Sequence, residues 1–129
     1  MALRIALDAN IYADMCRGVQ PTCGIIEAAQ EVFLPFPVLA ELEVSFLLGS
    51  RRVENERLLT QFMHSKGVSI LFANKYTCSL YASLFVALRR ARTPIPTNDI
   101  WIAALAIQNS LVLFTRDQHF TRIPELSRI

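Results

Sequence analysis

Apolar and polar residues follow one another along this chain in two rhythms, short unbroken apolar runs and longer stretches with a helical period. Their alternation predicts an α/β protein. Leu3–Leu7, Val32–Phe36, Val68–Phe72 and Leu111–Phe114 read as four strands. Between the first two, Ile11–Arg17 reads as a short helix and Ile25–Gln30 continues helically into the second strand. Pro37 sits at a favoured first helical position and opens Val38–Leu48, which Gly49 stops. Arg51–Ser65 is a charged amphipathic stretch, closed by Gly67 ahead of the third strand. Asn74 caps a long helix to about Arg92, ended by the TPIP at 93–96, and Thr97 or Asn98 caps another to about Asn109. Strands alternating with helices give a central, mostly parallel sheet with helices on both faces. In such sheets, sites form beyond the carboxyl ends of the strands.

The length of 129 residues fits one domain spanning 1–129. A hydrophobic fraction of 53%, with only 19% charged residues and a mean hydropathy of +0.34, suggests that a partner covers part of the surface. The apolar stretches IIEAAQEV and EVSFLLG are the places where a groove for an amphipathic helix would form. The net charge of +2 comes from eleven arginines with Lys66 and Lys75, and arginine's planar fork suits phosphate. So small a charge permits a nucleic-acid partner without requiring one. Cys16, Cys23 and Cys78 lack the paired spacing of a zinc knuckle or redox motif and are expected to be reduced, buried thiols of a cytoplasmic protein. No secretory signal stands at the N-terminus, and the longest apolar run, Ile100–Ile107, has eight residues against the roughly 20 that span a bilayer.

The acids change the picture. Asp8 ends the first strand, Asp117 lies just past the fourth, and Asp99 lies in the first turn of the helix before that strand. Glu41 lies on the helix after the second strand, among Pro37, Val44 and Leu48 in projection. Singly, each has an ordinary account as a cap, a dipole partner or a snorkelling side chain. Together they favour one shared site at one sheet edge. Clustered carboxylates repel, and a hard divalent cation, Mg2+ or Mn2+, is what such a cluster holds. Zinc is disfavoured because His64 and His119 have no ligand spacing, and His119 is expected to line a surface turn. Glu43 is about 200° around the helix from Glu41 and faces elsewhere. An acidic metal site suits phosphoryl chemistry.

The stretches LDANIYAD, PVLAELEVSFLLG, PIPTNDIWIAALAI and LFTRDQHF resemble, in that order, the four acidic motifs of the PIN-domain ribonucleases. The compactness of the chain resembles the VapC-type toxins of toxin–antitoxin pairs. The resemblance, which runs from Leu3 to Phe120, implies a three-layer sandwich and a Mg2+- or Mn2+-dependent endoribonuclease. Carried over by position, it makes Asp8, Glu41, Asp99 and Asp117 the catalytic, metal-binding acids, with Asn10 and Thr115 as polar residues that orient them. Arg116 and Phe120 fit the pattern T-R-D-x-x-F. Arg116 then either meets the scissile phosphate or pairs with a ligand carboxylate, and both roles stay open. Two positions depart from the family pattern: Ala9 replaces a common hydroxyl residue, and His119 stands where a further aspartate often follows, which leaves one or two bound ions open. The resemblance also implies an RNA substrate, a small antitoxin wrapped over the site, and a homodimer. Two rivals are a non-catalytic RNA-binding or scaffolding domain and a phosphatase with Asp8 as nucleophile. The latter needs a second aspartate where Asn10 stands.

Overall fold

The computed structural model describes residues 2–129. Four strands, β1 (Arg4–Leu7), β2 (Glu31–Pro35), β3 (Val68–Leu71) and β4 (Val112–Phe114), form one sheet in the order β3-β2-β1-β4. Every pairing is parallel, with Ile5 opposite Val32 on one side and opposite Val112 on the other. The helices are α1 (Ala9–Cys16), α2 (Thr22–Ala28), α3 (Phe36–Leu48), α4 (Arg52–Met63), α5 (Lys75–Arg90) and α6 (Thr97–Gln108). Right-handed crossovers place α1–α4 on one face of the sheet and α5 and α6 on the other. The burial of β1 follows: Ile5, Ala6 and Leu7 point alternately to the two faces, yet all three are fully buried. The α/β class and the parallel sheet are as the sequence predicts. Among the described residues no helix is long and apolar enough to cross a membrane.

Helix α6 is the centre of its layer, with Ile100, Ile102 and Ala103–Ala106 buried on all sides. A helix this apolar all round has to be covered, and α5 covers it. Asn74 starts α5 with a capping box: its side chain accepts from the Tyr76 and Thr77 amides, and its own amide donates to the Thr77 hydroxyl at 2.9 Å. The Thr77 hydroxyl, fully buried, also bonds Gln108 at the end of α6, whose amide returns to Asn74 at 2.9 Å. One hydroxyl thereby fixes the start of one helix against the end of the next.

Several boundaries differ from the sequence prediction for local reasons. Pro35 is the N-cap of α3, so the helix begins at Phe36 and Pro37 takes the second position. The helix expected over 25–30 runs from Thr22 to Ala28, because Glu31 is taken into the sheet opposite Arg4. Pro96 precedes α6 without a side-chain cap, and neither Thr97 nor Asn98 caps it. Gly67, by contrast, is required: its φ is +81°, and a Cβ would come within 3.0 Å of the Gln30 carbonyl oxygen. The cysteines are free but not buried. Cys16 at the end of α1 and Cys78 on α5 are exposed and Cys23 is half-buried, since each lies off the core-facing stripe of its helix.

The sequence reading ended at β4, but the chain does not. After a 3-10 turn over Gln118–Arg122, residues 127–129 lie parallel to β4: Leu113 donates to the Ser127 carbonyl at 2.8 Å, and Ile129 donates to the Leu113 carbonyl at 3.0 Å. This segment covers an otherwise open sheet edge. Phe120, Ile123 and Leu126 anchor it in the core.

The polar link between α5 and α6 carries a testable consequence. Thr77→Val preserves the shape of the side chain but orphans the Asn74 amide and the Gln108 carboxamide, so unfolding free energy should fall by about 1–3 kcal/mol. Urea denaturation of the two proteins measures it.

Candidate metal centre

Strands β1 and β4 are neighbours in the sheet, yet the chain leaves them in opposite directions, β1 towards β2 and β4 towards the outer edge. This is the topological switch point of the sheet, where side chains from different loops meet. Asp8 is the first residue beyond β1. Its extended backbone makes it the N-cap of α1, and Oδ1 accepts from the Ala9 amide at 2.9 Å. Oδ2 accepts from the Thr115 hydroxyl, just beyond β4, at 2.6 Å. That hydroxyl in turn accepts from the Asp117 amide at 3.0 Å. Asp117 Oδ1 accepts from the His119 amide at 2.9 Å, forming a turn that swings the His119 ring back over the loop. His119 Nδ1 then lies 2.9 Å from Asp99 Oδ2 and 3.2 Å from Asp117 Oδ1. Glu41, arriving from α3, accepts a long bond of 3.4 Å from Asn98 in the first turn of α6. A continuous chain of contacts thus joins Asp8, Thr115, Asp117, His119 and Asp99.

Electrostatics bring the four acids into one set. Burial raises the Asp8 carboxyl above its ordinary value; the Thr115 and Ala9 bonds oppose this, and the charge of Asp117 adds to it. Burial likewise raises Glu41, as do the charges of Asp8, Asp99 and Asp117, against the Asn98 bond. Asp99 is raised by burial and by Asp117 and Asp8, with the His119 bond working the other way. Glu41 feels the charges of all three other acids, Asp99 those of Asp117 and Asp8, and Asp8 that of Asp117, as proximity requires.

Arg116 does not neutralise them. Its guanidinium grips Asp14 on α1, Nε to Oδ2 at 2.8 Å and Nη2 to Oδ1 at 3.1 Å, and Arg17 adds a contact of 2.7 Å. These bonds, that of Arg116 first, hold the Asp14 carboxyl below the usual range. Arg116 therefore pairs with a carboxylate, but not with one of the four. Asn10 accepts from the Arg116 amide at 3.4 Å, so it steadies the loop and touches none of the four acids. Sequence reasoning missed Asp14 and Asn98; the position of Asp14 three residues before Arg17 was the only signal for the first. His119 is not confined to a surface turn: the turn exists, but its ring faces Asp99 and Asp117. Glu43 is exposed and apart.

Three raised carboxyls with no guanidinium among them fit a hard divalent cation by the chemistry of the donor set. Asp99, Asp117 and His119 each offer one ligand atom, all within 4.8 Å of one another. Asp8 and Glu41 are not members of that triad; Asp8 is linked to it by the hydrogen-bond chain through Thr115 and Asp117.

The family model described as "PIN domain" matches residues 5–126. The chain is 30% identical over 94 residues to Ribonuclease VapC1 of Haemophilus influenzae (strain R2866), covering 72% of this chain and 69% of that one. It is 28% identical over 91 residues to Ribonuclease VapC4 of Mycobacterium tuberculosis, covering 70% of each. The structure of VapBC2 from Rickettsia felis bound to a DNA fragment from their promoter superposes with a TM-score of 0.88 at 23% identity, over 98% of both chains. That likeness shows the fold.

The raised carboxyl of Asp99 gives a pH signature. An acid raised in the folded state costs stability as pH climbs past its unfolded value near 4. In chelator, Asp99→Asn should therefore be more stable than the parent at pH 8, by about 1 kcal/mol, and the gap should narrow towards pH 4 as the parent's acid takes up a proton. Thermal melts at the two pH values measure it. A variant that melts lower at pH 8 would mark Asp99 as a structural partner of His119.

Proposed function

The chain belongs to the PIN-domain family, and from that premise we propose that it is an endoribonuclease that cleaves RNA phosphodiester bonds with Mg2+ or Mn2+ held by Asp8, Glu41, Asp99 and Asp117. The observation that carries this reading is the set of raised carboxyls at the switch point, left without a guanidinium partner. A bound divalent ion supplies Lewis-acid polarisation of the scissile phosphate and a hydroxide nucleophile at neutral pH. The chain's own part is to hold the donors still. Asp8 is fixed on both oxygens, by Ala9 and Thr115, so it cannot rotate away from its neighbours. Asn98 aims Glu41, and Thr115 couples the loops after β1 and β4. Arg116, braced by Asp14, keeps a half-exposed positive group beside the Asp117 loop, where an RNA backbone would approach.

The relatives named as VapC ribonucleases support the role of toxin in a toxin–antitoxin pair. A small antitoxin would occupy the cleft between α1, α3 and α4, lined by Tyr12, Leu42, Phe46 and Leu58. Leu47, Leu48 and Val53 are exposed on the same two helices, α3 and α4. Of the two stretches expected to form such a groove, EVSFLLG contributes; the α2 stretch instead buries Ile26 in the core. A homodimer and a cytoplasmic location complete the proposal. The phosphatase alternative lacks its second aspartate, since Asn10 stands there and is bonded to Arg116.

Purified protein free of antitoxin should cut single-stranded RNA with Mg2+ or Mn2+, and chelation should stop it. Asp8→Asn should lower cleavage at least about 1,000-fold while the protein still unfolds cooperatively. Gel assays with a melt of each sample decide the matter; turnover by folded Asp8→Asn protein, or in excess chelator, would remove the mechanism.

A further inference from the structure

We propose that His119 is itself a ligand of the metal centre, making it a mixed nitrogen–oxygen site that selects Mn2+ over Mg2+. The proposal rests on the metal reading of the four acids and adds to it a nitrogen donor and a choice of ion. Its basis is spacing. Cis ligands of an octahedral ion with bonds of about 2.1 Å stand about 3 Å apart. His119 Nδ1 already stands 2.9 Å from Asp99 Oδ2 and 3.2 Å from Asp117 Oδ1. An ion entering this triangle meets three donor atoms that already lie within 4.8 Å of one another.

Among the described residues, the only partners of Nδ1 are the two carboxylates that would be its co-ligands. The turn after Asp117 is made by the His119 backbone amide, so the loop does not depend on the imidazole. The ring is half-exposed rather than packed in the core. No other acid follows Asp117 in the loop over 117–122, and His119 is the loop side chain whose donor atom stands beside both Asp99 and Asp117. Imidazole is a poor partner for Mg2+, which prefers oxygen and water, and a better one for Mn2+ and the later divalent metals. His64, the other histidine, faces the Thr60 carbonyl at 2.8 Å on the end of α4 and provides an internal control.

The full chain, loaded with Mn2+ and free of RNA, tests this directly by pulsed electron paramagnetic resonance. A coordinated imidazole imposes nitrogen modulation on the manganese echo, and 15N-histidine labelling should alter it. His119→Gln should abolish the modulation, weaken Mn2+ binding about tenfold and change Mg2+ binding by less than about twofold. If Mn2+ binds the parent chain without nitrogen modulation, or the modulation survives in His119→Gln, the ring is only a counter-charge for Asp99 and the proposal fails while the acid site stands. If Asp8→Asn and Asp99→Asn bind Mn2+ as the parent does, the acid site fails and the proposal with it.

Discussion

Crowding of like charge at the carboxyl edge of the sheet is the constraint on which the rest of this structure depends. Folding brings Asp8, Glu41 and Asp99 out of water and towards Asp117, so the native state stores repulsion that an ordinary core would never accumulate. The remainder of the fold is arranged to withstand it. Both faces of β1 are sealed, which fixes the strand that ends at Asp8. The α5–α6 pair is locked by a buried polar network, which fixes the helix that begins at Asp99. A stiff frame is what allows an unfavourable cluster to persist until something binds it.

Much of this was legible in the chain. The four strands and their helices follow from apolar periodicity, because each element buries a face and the sequence must show it. The four acids stood out because a carboxylate at the end of an apolar run has few reasons to be there. What was not legible depends on distances between loops. Arg116 was readable as a cation near an acid, but its choice of Asp14 follows from how α1 packs beside the β4 loop. The ring of His119 could be placed only once the Asp117 turn was known. The edge segment after β4 was missed because the five residues that follow Pro124 carry too little periodicity to read.

Asp14 and the four acids show how one fold treats carboxylates in two ways. Asp14 is buried and clamped by two guanidinium groups, and stays ionised at low cost to the fold. The four receive hydrogen bonds from neutral donors and from a single histidine, and three of them are pushed towards the protonated form. The same residue type is structural where arginine meets it and a candidate for chemistry where arginine is withheld. The two treatments are separated by one residue of sequence, from Arg116 to Asp117.

Thr115 is held from two directions, its hydroxyl on Asp8 and its amide on the Ile129 carbonyl at 3.2 Å. The edge segment over residues 127–129 is therefore a splint on the acidic cluster as well as a cover for β4. A short stretch far from the acids in sequence has a mechanical line to the first of them. A substitution that displaces residues 127–129 would be felt at Thr115, whose hydroxyl orients Asp8, so this distant stretch is sensitive to change.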